Sequence, residues 1–249
     1  MKNICRIYIS NHLHKDQSIE LDKIKAHYLL NVLRKKCGDV LRVFNGNDGE
    51  WLAEVLEYDK KFLIIKIIKN LRLQTSRQEL KLIFAPLKQT RLNFVIEKSV
   101  ELGVTELIPI LTDYTHVREF NQARAQNISI EAAEQCERLS TPIIRPLTTL
   151  EIFLKTWPTN KLIFIGDERL TSKNLIKQIL CEMPFEPSLL IGPEGGFSPH
   201  EFEILSTYEF VRFVSLGQTI LRAETAAIAG LAICHMAKEL GASNEKIVL

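Results

Sequence analysis

Hydrophobic residues recur in short runs along the first 70 residues, and polar turn residues separate the runs. Between the runs at 40–44 and 51–55 lies Asn45-Gly46-Asn47-Asp48-Gly49, where glycine and asparagine tolerate the positive φ angles of a hairpin. Residues 27–34 instead carry apolar side chains at helical spacing and end in basic residues, which suit a helix C-terminus. The pattern predicts a small β-barrel with one helix at 27–34 and strands at 5–9, 40–44, 51–55 and 61–69.

A polar stretch without periodicity at 71–79 predicts a linker, and strands then alternate with helices. This alternation is typical of an α/β domain in which helices cover both faces of a parallel sheet. The chain therefore divides into predicted domains at 1–73 and 74–249. The predicted strands are 80–85, 107–111, 161–165, 188–191 and 211–214, and the predicted helices are 91–102, 129–139, 172–181, 199–206 and 224–240.

The composition is that of a globular protein, with 46% hydrophobic and 25% charged residues. The longest apolar runs are too short to cross a bilayer, and the N-terminus lacks the apolar segment of a secretion signal, so a cytoplasmic protein is expected. The five cysteines are scattered without metal-ligand spacing, so we expect reduced thiols and no metal site.

Charge is distributed unevenly along the chain. The first 73 residues contain 14 lysines and arginines against 9 acidic residues, whereas the remainder contains 18 against 21. A basic N-terminal domain is typical of a protein that binds a polyanion such as RNA. An ordinary solvated surface would carry the same charges, so composition leaves both interpretations open.

Three glycine-bearing turns each follow a predicted strand of the second domain. The first contains Gly166, the second contains Gly192, Gly195 and Gly196, and the third contains Gly217. Because parallel strands end at one edge of a sheet, the three turns predict a common ligand pocket there. A single turn of this kind would more simply be structural. The spacing matches neither the dinucleotide fingerprint nor a phosphate-binding Walker loop, which disfavours a nucleotide-dependent dehydrogenase.

Two of these turns resemble the cofactor loops of the SPOUT methyltransferases, and more narrowly those of the family of ribosomal RNA small subunit methyltransferase E. The first is Ile191-Gly192-Pro193-Glu194-Gly195-Gly196-Phe197, and the second is Leu216-Gly217-x-x-Ile220-Leu221-Arg222-Ala223-Glu224-Thr225-Ala226. Further matches make the resemblance cover essentially the whole chain. They are Arg6-Ile7-Tyr8, His27-x5-Leu33-Arg34, Glu97-Lys98-Ser99-x-Glu101-Leu102-Gly103-Val104 and Glu134-Gln135-Cys136-x-Arg138-x3-Pro142.

The resemblance implies an S-adenosylmethionine-dependent enzyme that methylates the ring N3 of one uridine in 16S ribosomal RNA of the small subunit. It also implies a PUA-like RNA-binding domain, a deep trefoil knot in the C-terminal segment and a homodimer. The implied cofactor contacts are Phe164, Ile165, Gly166, Asp167, Ile191, Gly192, Pro193, Glu194, Gly195, Gly196, Leu216, Gly217, Ile220, Leu221, Arg222 and Thr225.

Methylation at N3 requires loss of the proton that uridine carries there, so a site must remove it or stabilise the resulting anion. Arg222 is the candidate for holding the deprotonated uracil or a phosphate; its alternative is a surface ion pair with Glu224. Glu194 is a candidate base, with bracing of the glycine turn as the favoured alternative. The expected RNA contacts are Arg6, Arg34, Arg42, Lys88, Lys98 and Arg138, each of which could instead be a solvated charge.

Two other functions share parts of this pattern. A SPOUT enzyme that methylates the ribose 2′-oxygen would have the same cofactor loops, and a non-enzymatic RNA-binding assembly factor would need only the basic domain. The chain also departs from the family at three places. Thr219 replaces a frequent basic residue, Glu137 replaces a frequent glycine, and Asp113-Tyr114-Thr115 stands where an Arg-Ser pair is often found.

Overall fold

The structure is a computed structural model that describes residues 4–59, 62–75, 79–170, 174–182 and 186–245. The chain divides into two compact units, Met1–Ser76 with Ala133–Thr141, and Arg77–Ala132 with Pro142–Leu249. This division differs from the predicted one chiefly in the segment 133–141, which groups with the first unit. The reason is long-range hydrogen bonding, since the Arg6 guanidinium donates to the carbonyl oxygens of Ala133 and Arg138.

The first unit consists of β1 (Arg6–Tyr8), β2 (Ser18–Glu20), α1 (Lys23–His27) with a π-helical turn (Tyr28–Val32), β3 (Val40–Phe44), β4 (Glu50–Tyr58) and β5 (Leu63–Arg72). Its strands form a five-stranded sheet in the order β1-β3-β4-β5-β2, whose pairs are antiparallel except for the parallel pair β1–β3. The predicted hairpin between β3 and β4 is confirmed, with positive φ at Gly46 (87°) and Gly49 (82°). Lys61, predicted to begin the last strand, lies outside the described residues.

The helical segment of the first unit begins earlier than its apolar pattern predicts. The Asp22 carboxylate accepts a hydrogen bond from the Lys25 amide at 2.9 Å and caps α1, which begins at Lys23, four residues before His27. Leu29, in the π-helical turn, is fully buried and packs with Leu41 and Val43 of β3. The helix therefore closes one side of this unit's apolar core.

The second unit contains strands and helices in alternation. The elements are β6 (Lys81–Phe84), α2 (Gln89–Glu101), β7 (Glu106–Leu111), α3 (Gln122–Gln135), β8 (Ile143–Ile144), β9 (Thr148–Thr149), α4 (Leu150–Thr156), β10 (Ile163–Gly166), α5 (Leu175–Glu182), β11 (Ser188–Ile191), α6 (Pro199–Ser206), β12 (Val211–Val214) and α7 (Ala223–Glu245). The strands form a parallel sheet in the order β12-β10-β11-β6-β7-β8, with β9 paired to the far end of β7. The predicted helix at 172–181 begins outside the described residues and is observed from Leu175.

Both faces of this sheet are apolar, as the continuous hydrophobic runs predict for a parallel sheet. Leu189 and Ile191 of β11 point into one core with α2, α5 and α7, whereas Leu190 points into the other with α4 and α6.

Helix α3 starts seven residues before its predicted first residue, because Asn121 Oδ1 accepts a hydrogen bond from the Arg124 amide at 2.9 Å.

Helix α7 packs closely on β11. A Cβ atom added to Gly230 would lie 2.6 Å from Leu189 Cδ2, so any larger residue would force the buried Leu189 side chain to shift. The packing fixes the helix that follows the third glycine-bearing turn. Within the described ranges, neither α7 nor any other helix is long and apolar enough to cross a membrane.

Candidate active site

The three glycine-bearing turns meet at the carboxyl edge of the parallel sheet, as the sequence predicts, and enclose a cavity of about 360 Å³. They follow the neighbouring strands β10, β11 and β12. The cavity is lined by Gly166, Asp167, Glu168, Arg169, Ile191, Gly192, Pro193, Glu194, Gly195, Gly196, Phe197, Phe202, Leu216, Gly217, Thr219, Ile220, Leu221, Arg222, Ala223 and Ala226. Thirteen of the sixteen residues expected to contact a cofactor belong to this lining.

The other three expected cofactor contacts lie outside this lining. Phe164 and Ile165 are fully buried in the two cores on opposite faces of the sheet, so their side chains do not reach the cavity. Strand alternation accounts for this, because the residues before the terminal glycine of β10 point into the packed layers. Thr225 is exposed in the first turn of α7 and lies outside the lining.

Close packing explains why the second turn needs glycine. A Cβ on Gly192 would lie 3.1 Å from the Phe197 ring, and one on Gly195 would lie 3.2 Å from Tyr114 Cβ. Gly196 has a φ of 71°, which a residue with a side chain rarely adopts. Gly217, in the third turn, has a φ of 142° and open space where a side chain would be. The turns therefore expose backbone to the cavity.

Helix α6 begins directly after this turn, at its predicted first residue, and is capped by Ser198. Ser198 Oγ accepts a hydrogen bond from the Glu201 amide, and the Glu201 carboxylate accepts one from the Ser198 amide. Asp113, which follows β7, adds to this cap: its carboxylate accepts from Ser198 Oγ at 2.5 Å, and its amide donates to Glu201 at 2.9 Å. The end of β7 is thus tied to the start of α6.

Arg222 and Glu194 both line the cavity, but they have different partners. Arg91 of α2 lies 3.1 Å from Glu194 and 3.5 Å from Glu224, so it links the second turn to α7. The alternative pairing of Arg222 with Glu224 is therefore not observed. Arg222 is exposed, and its guanidinium has no hydrogen bond or ion pair within the described part of the chain. Its guanidinium is available to a ligand, whereas the Glu194 carboxylate is already paired.

The lining contains a second arginine, which the sequence did not predict. Arg169 makes a bidentate contact with the buried Asp167 carboxylate, at 2.9 and 3.2 Å, and lies 3.7 Å from the centre of the Phe202 ring. The Asp167 carboxylate raises the pKa of Arg169. Because Arg169 lies beyond the matched turn and Phe202 lies on α6, no local motif marks either residue.

Two residues expected to bind RNA are instead structural. Arg6 is 6% exposed, lies over the Phe44 ring, and donates to Glu50 at 2.5 Å as well as to the carbonyls of segment 133–141. Burial lowers the pKa of Arg6. Arg42 donates to Glu137 at 2.7 Å, and this contact raises the pKa of Arg42 and lowers that of Glu137. Both arginines pair with acids distant in sequence, which charge pattern alone does not reveal.

The four other expected RNA contacts differ in availability. Arg34 and Lys88 are exposed, and Arg138 is half-buried. Lys98 is held between Glu97 and Glu101, at 2.7 and 2.8 Å, so the three side chains together carry a net negative charge.

No group of histidine, cysteine and acidic residues suited to a metal ion occurs in the part of the chain that the structure describes.

Comparison with known proteins gives consistent matches. The model of the RNA methyltransferase domain matches residues 74–235, and that of the RNA methyltransferase PUA domain matches residues 21–68. A Rickettsia conorii protein named ribosomal RNA small subunit methyltransferase E is 37% identical, covering 97% of this chain and 98% of its own. The protein of that name from Buchnera aphidicola subsp. Schizaphis graminum is 34% identical, covering 92% and 95%.

Solved structures agree with these matches. The crystal structure of a ribosomal RNA small subunit methyltransferase E from Neisseria gonorrhoeae, bound to S-adenosyl methionine, aligns with a TM-score of 0.85. It is 26% identical and covers 94% of this chain and 98% of its own. A Legionella pneumophila methyltransferase in complex with the same cofactor aligns with a TM-score of 0.80 at 29% identity, covering 94% and 98%.

Proposed function

This chain belongs to the family of ribosomal RNA small subunit methyltransferase E, and we propose that it transfers a methyl group from S-adenosylmethionine to the ring N3 of one uridine in 16S ribosomal RNA. The observation that carries the proposal is the cavity formed by three strand-to-helix turns, with an available arginine, Arg222, in its lining. The whole-length similarity to relatives of that name supports the choice of substrate.

The cavity fits the proposed cofactor. Its volume of about 360 Å³ lies within the range of small-molecule sites, roughly 300–1,000 Å³. Ile191, Leu216 and Leu221 offer apolar surface to an adenine ring, while the glycine turns present backbone groups to polar atoms of the ligand. When bound, S-adenosylmethionine supplies the electrophilic methyl group; the protein supplies orientation and electrostatics.

We assign to Arg222 the role of stabilising the uracil anion that forms when N3 loses its proton. A guanidinium can donate two parallel hydrogen bonds, and within the described residues none of its donors is already used by protein. Arg91 holds Glu194 on the side of the second turn, which supports a bracing role for that carboxylate. The target base must leave its stack to reach such a site.

Finer features of the proposal rest on family membership. We infer that the segment through β12 and α7 forms the deep trefoil knot, that the sheet of the first unit closes into a PUA-like barrel, and that two copies form a homodimer in the cytoplasm. The adjacency of the three turns in one cavity supports the first inference, and the match at 21–68 supports the second. Arg34, Lys88 and Arg138 remain the proposed RNA contacts.

Analysis of ribosomal RNA nucleosides tests the proposed activity. We expect 16S ribosomal RNA from a strain lacking the protein to lose one N3-methyluridine, and the purified protein with S-adenosylmethionine to restore it. Mass spectrometry distinguishes this product from a 2′-O-methylated nucleoside. Restoration of a 2′-O-methyl group would assign the chain to the ribose-modifying enzymes, and an unchanged nucleoside profile would favour a non-enzymatic assembly factor.

The role of Arg34 can be tested through the salt dependence of RNA binding. We expect Arg34→Gln to weaken RNA binding and to reduce the slope of log affinity against log salt concentration by about 1, because one phosphate contact releases about one counterion. Lys66→Gln is the control, since Lys66 already lies 3.3 Å from Asp16. Equal slopes for Arg34→Gln and the unmodified protein would make Arg34 a solvated charge.

A further inference from the structure

An exposed aromatic side chain lies beside the candidate active site and has no part in the function proposed so far. Tyr114, in the turn that follows β7, is 44% exposed. Its Cγ and Cδ2 atoms lie 3.6 Å from the position that a Cβ on Gly195 would occupy, so the ring packs against the glycine turn that lines the cavity. Tyr114 itself lies outside the lining, at its edge.

The residues on either side of Tyr114 are fixed by polar contacts. Asp113 is bound to the capping residues of α6, through a 2.5 Å contact with Ser198 and a 2.9 Å contact with Glu201. Thr115 is buried, and its hydroxyl accepts from the Thr112 amide at 2.9 Å and contacts the Thr112 hydroxyl at 2.8 Å. The aromatic ring is therefore presented to solvent from an ordered turn.

Leaving a tyrosine ring in water against a glycine turn forgoes apolar burial unless a ligand covers it. A nucleobase is the ligand whose chemistry fits this surface, since RNA-binding proteins stack splayed-out bases on aromatic side chains. The position is also appropriate, because Gly195 connects the ring to the cavity that contains Arg222.

We propose that Tyr114 is a positioning residue on which an unstacked base of the RNA substrate stacks, either the target uridine or its neighbour, so that the target enters the cavity beside Arg222. This inference rests on the proposed function. It gives a use to one of the three departures from the family pattern, since Tyr114 lies in the stretch Asp113-Tyr114-Thr115, where an Arg-Ser pair is often found.

The test compares Tyr114→Ala, Tyr114→Phe and Tyr114→Trp by single-turnover methyl transfer. The substrate is small ribosomal subunits from a strain lacking the protein, with RNA and cofactor both saturating. We expect Tyr114→Ala to lower the rate by about 10- to 100-fold, the scale of one lost base–aromatic stack. Phe and Trp preserve a ring and should retain a rate within about threefold of the unmodified protein. Tyr58→Ala, at an equally exposed tyrosine in the first unit, is the matched control.

Two further measurements separate stacking from other roles of Tyr114. Calorimetric affinity for S-adenosylmethionine should be the same in all variants, as should the oligomeric state measured by sedimentation. Loss of cofactor affinity in Tyr114→Ala would make the ring a prop for the glycine turn, and a shift in oligomeric state would make it part of a subunit interface; either overturns the proposal. So does a rate for Tyr114→Ala equal to that of Tyr114→Phe. Absence of methyl transfer by the unmodified protein would instead refute the proposed function.

Discussion

Replacement of Arg222 by lysine is expected to lower the maximal rate of methyl transfer by about 10²-fold or more, the scale for losing one donor that acts in the transition state. Lysine keeps the positive charge but loses the planar pair of donors. Affinity for RNA and for S-adenosylmethionine should change much less, because the uracil anion is fully developed only on the way to the transition state. Single-turnover kinetics with both ligands saturating measure the effect.

Raising the pH should partly restore the rate of Arg222→Lys, since solvent then ionises more of the uridine without help from the protein. Arg145→Lys is the control: Arg145 is an exposed arginine of the same unit, paired with Glu106 at the start of β7, whereas the cavity lies at the opposite edge of the sheet. If Arg222→Lys weakened RNA binding and left the maximal rate unchanged, Arg222 would be a phosphate ligand. Glu194 would then be the next candidate for handling the proton.

Replacement of Glu50 by glutamine is expected to destabilise the first unit by about 3–5 kcal/mol, the scale for removing one member of a buried ion pair. Glu50 is 1% exposed, and its carboxylate lies 2.5 Å from Arg6, 3.3 Å from Arg72 and 3.7 Å from Arg42. Glutamine has nearly the same shape but no charge, so the three guanidinium groups would lose the carboxylate that they share, while Arg42 keeps its ion pair with Glu137.

Urea denaturation measures this loss of stability. Trp51 lies in β4 beside Glu50, and a Trp157→Phe background makes its fluorescence specific to the first unit, because the chain contains two tryptophans. Glu57→Gln, on the exposed part of the same strand, is the control and should change the free energy of unfolding by no more than about 0.5 kcal/mol. A change below about 1 kcal/mol for Glu50→Gln would show that water or Glu137 satisfies the arginines equally well.

The sequence predicts the candidate site well where residues that end strands or start helices are present. Strands β11 and β12 and helix α6 have their predicted bounds, because glycines end the strands and Ser198-Pro199 starts the helix. The convergence of the three turns also follows from sequence, since alternating strands and helices place the carboxyl ends of parallel strands together. Short elements such as β2 and β9 are missed because two or three residues carry no periodicity.

Side-chain roles that depend on distant partners could not be predicted. Arg6 and Arg42 look like surface cations in the sequence. In the structure Arg6 is paired with Glu50, 44 residues away, and Arg42 is paired with Glu137, 95 residues away. Glu137 has a φ of 60°, a conformation that glycine adopts more readily than other residues, and its carboxylate is held by Arg42. The turn after β7 is similar, since only the packed structure brings Tyr114 to Gly195.

The discontinuous composition of the first unit has a consequence for how the protein is made. A ribosome releases residues 1–76 long before residues 133–141, yet the latter provide the Ala133 and Arg138 carbonyls that receive Arg6 and the carboxylate that receives Arg42. A nascent chain, or a fragment cut at residue 76, therefore holds Arg6, Arg42 and Arg72 around Glu50 without the partners that segment 133–141 provides. Completion of this unit must wait until more than half of the chain has been synthesised, so its amino-terminal position does not make it the first part to mature.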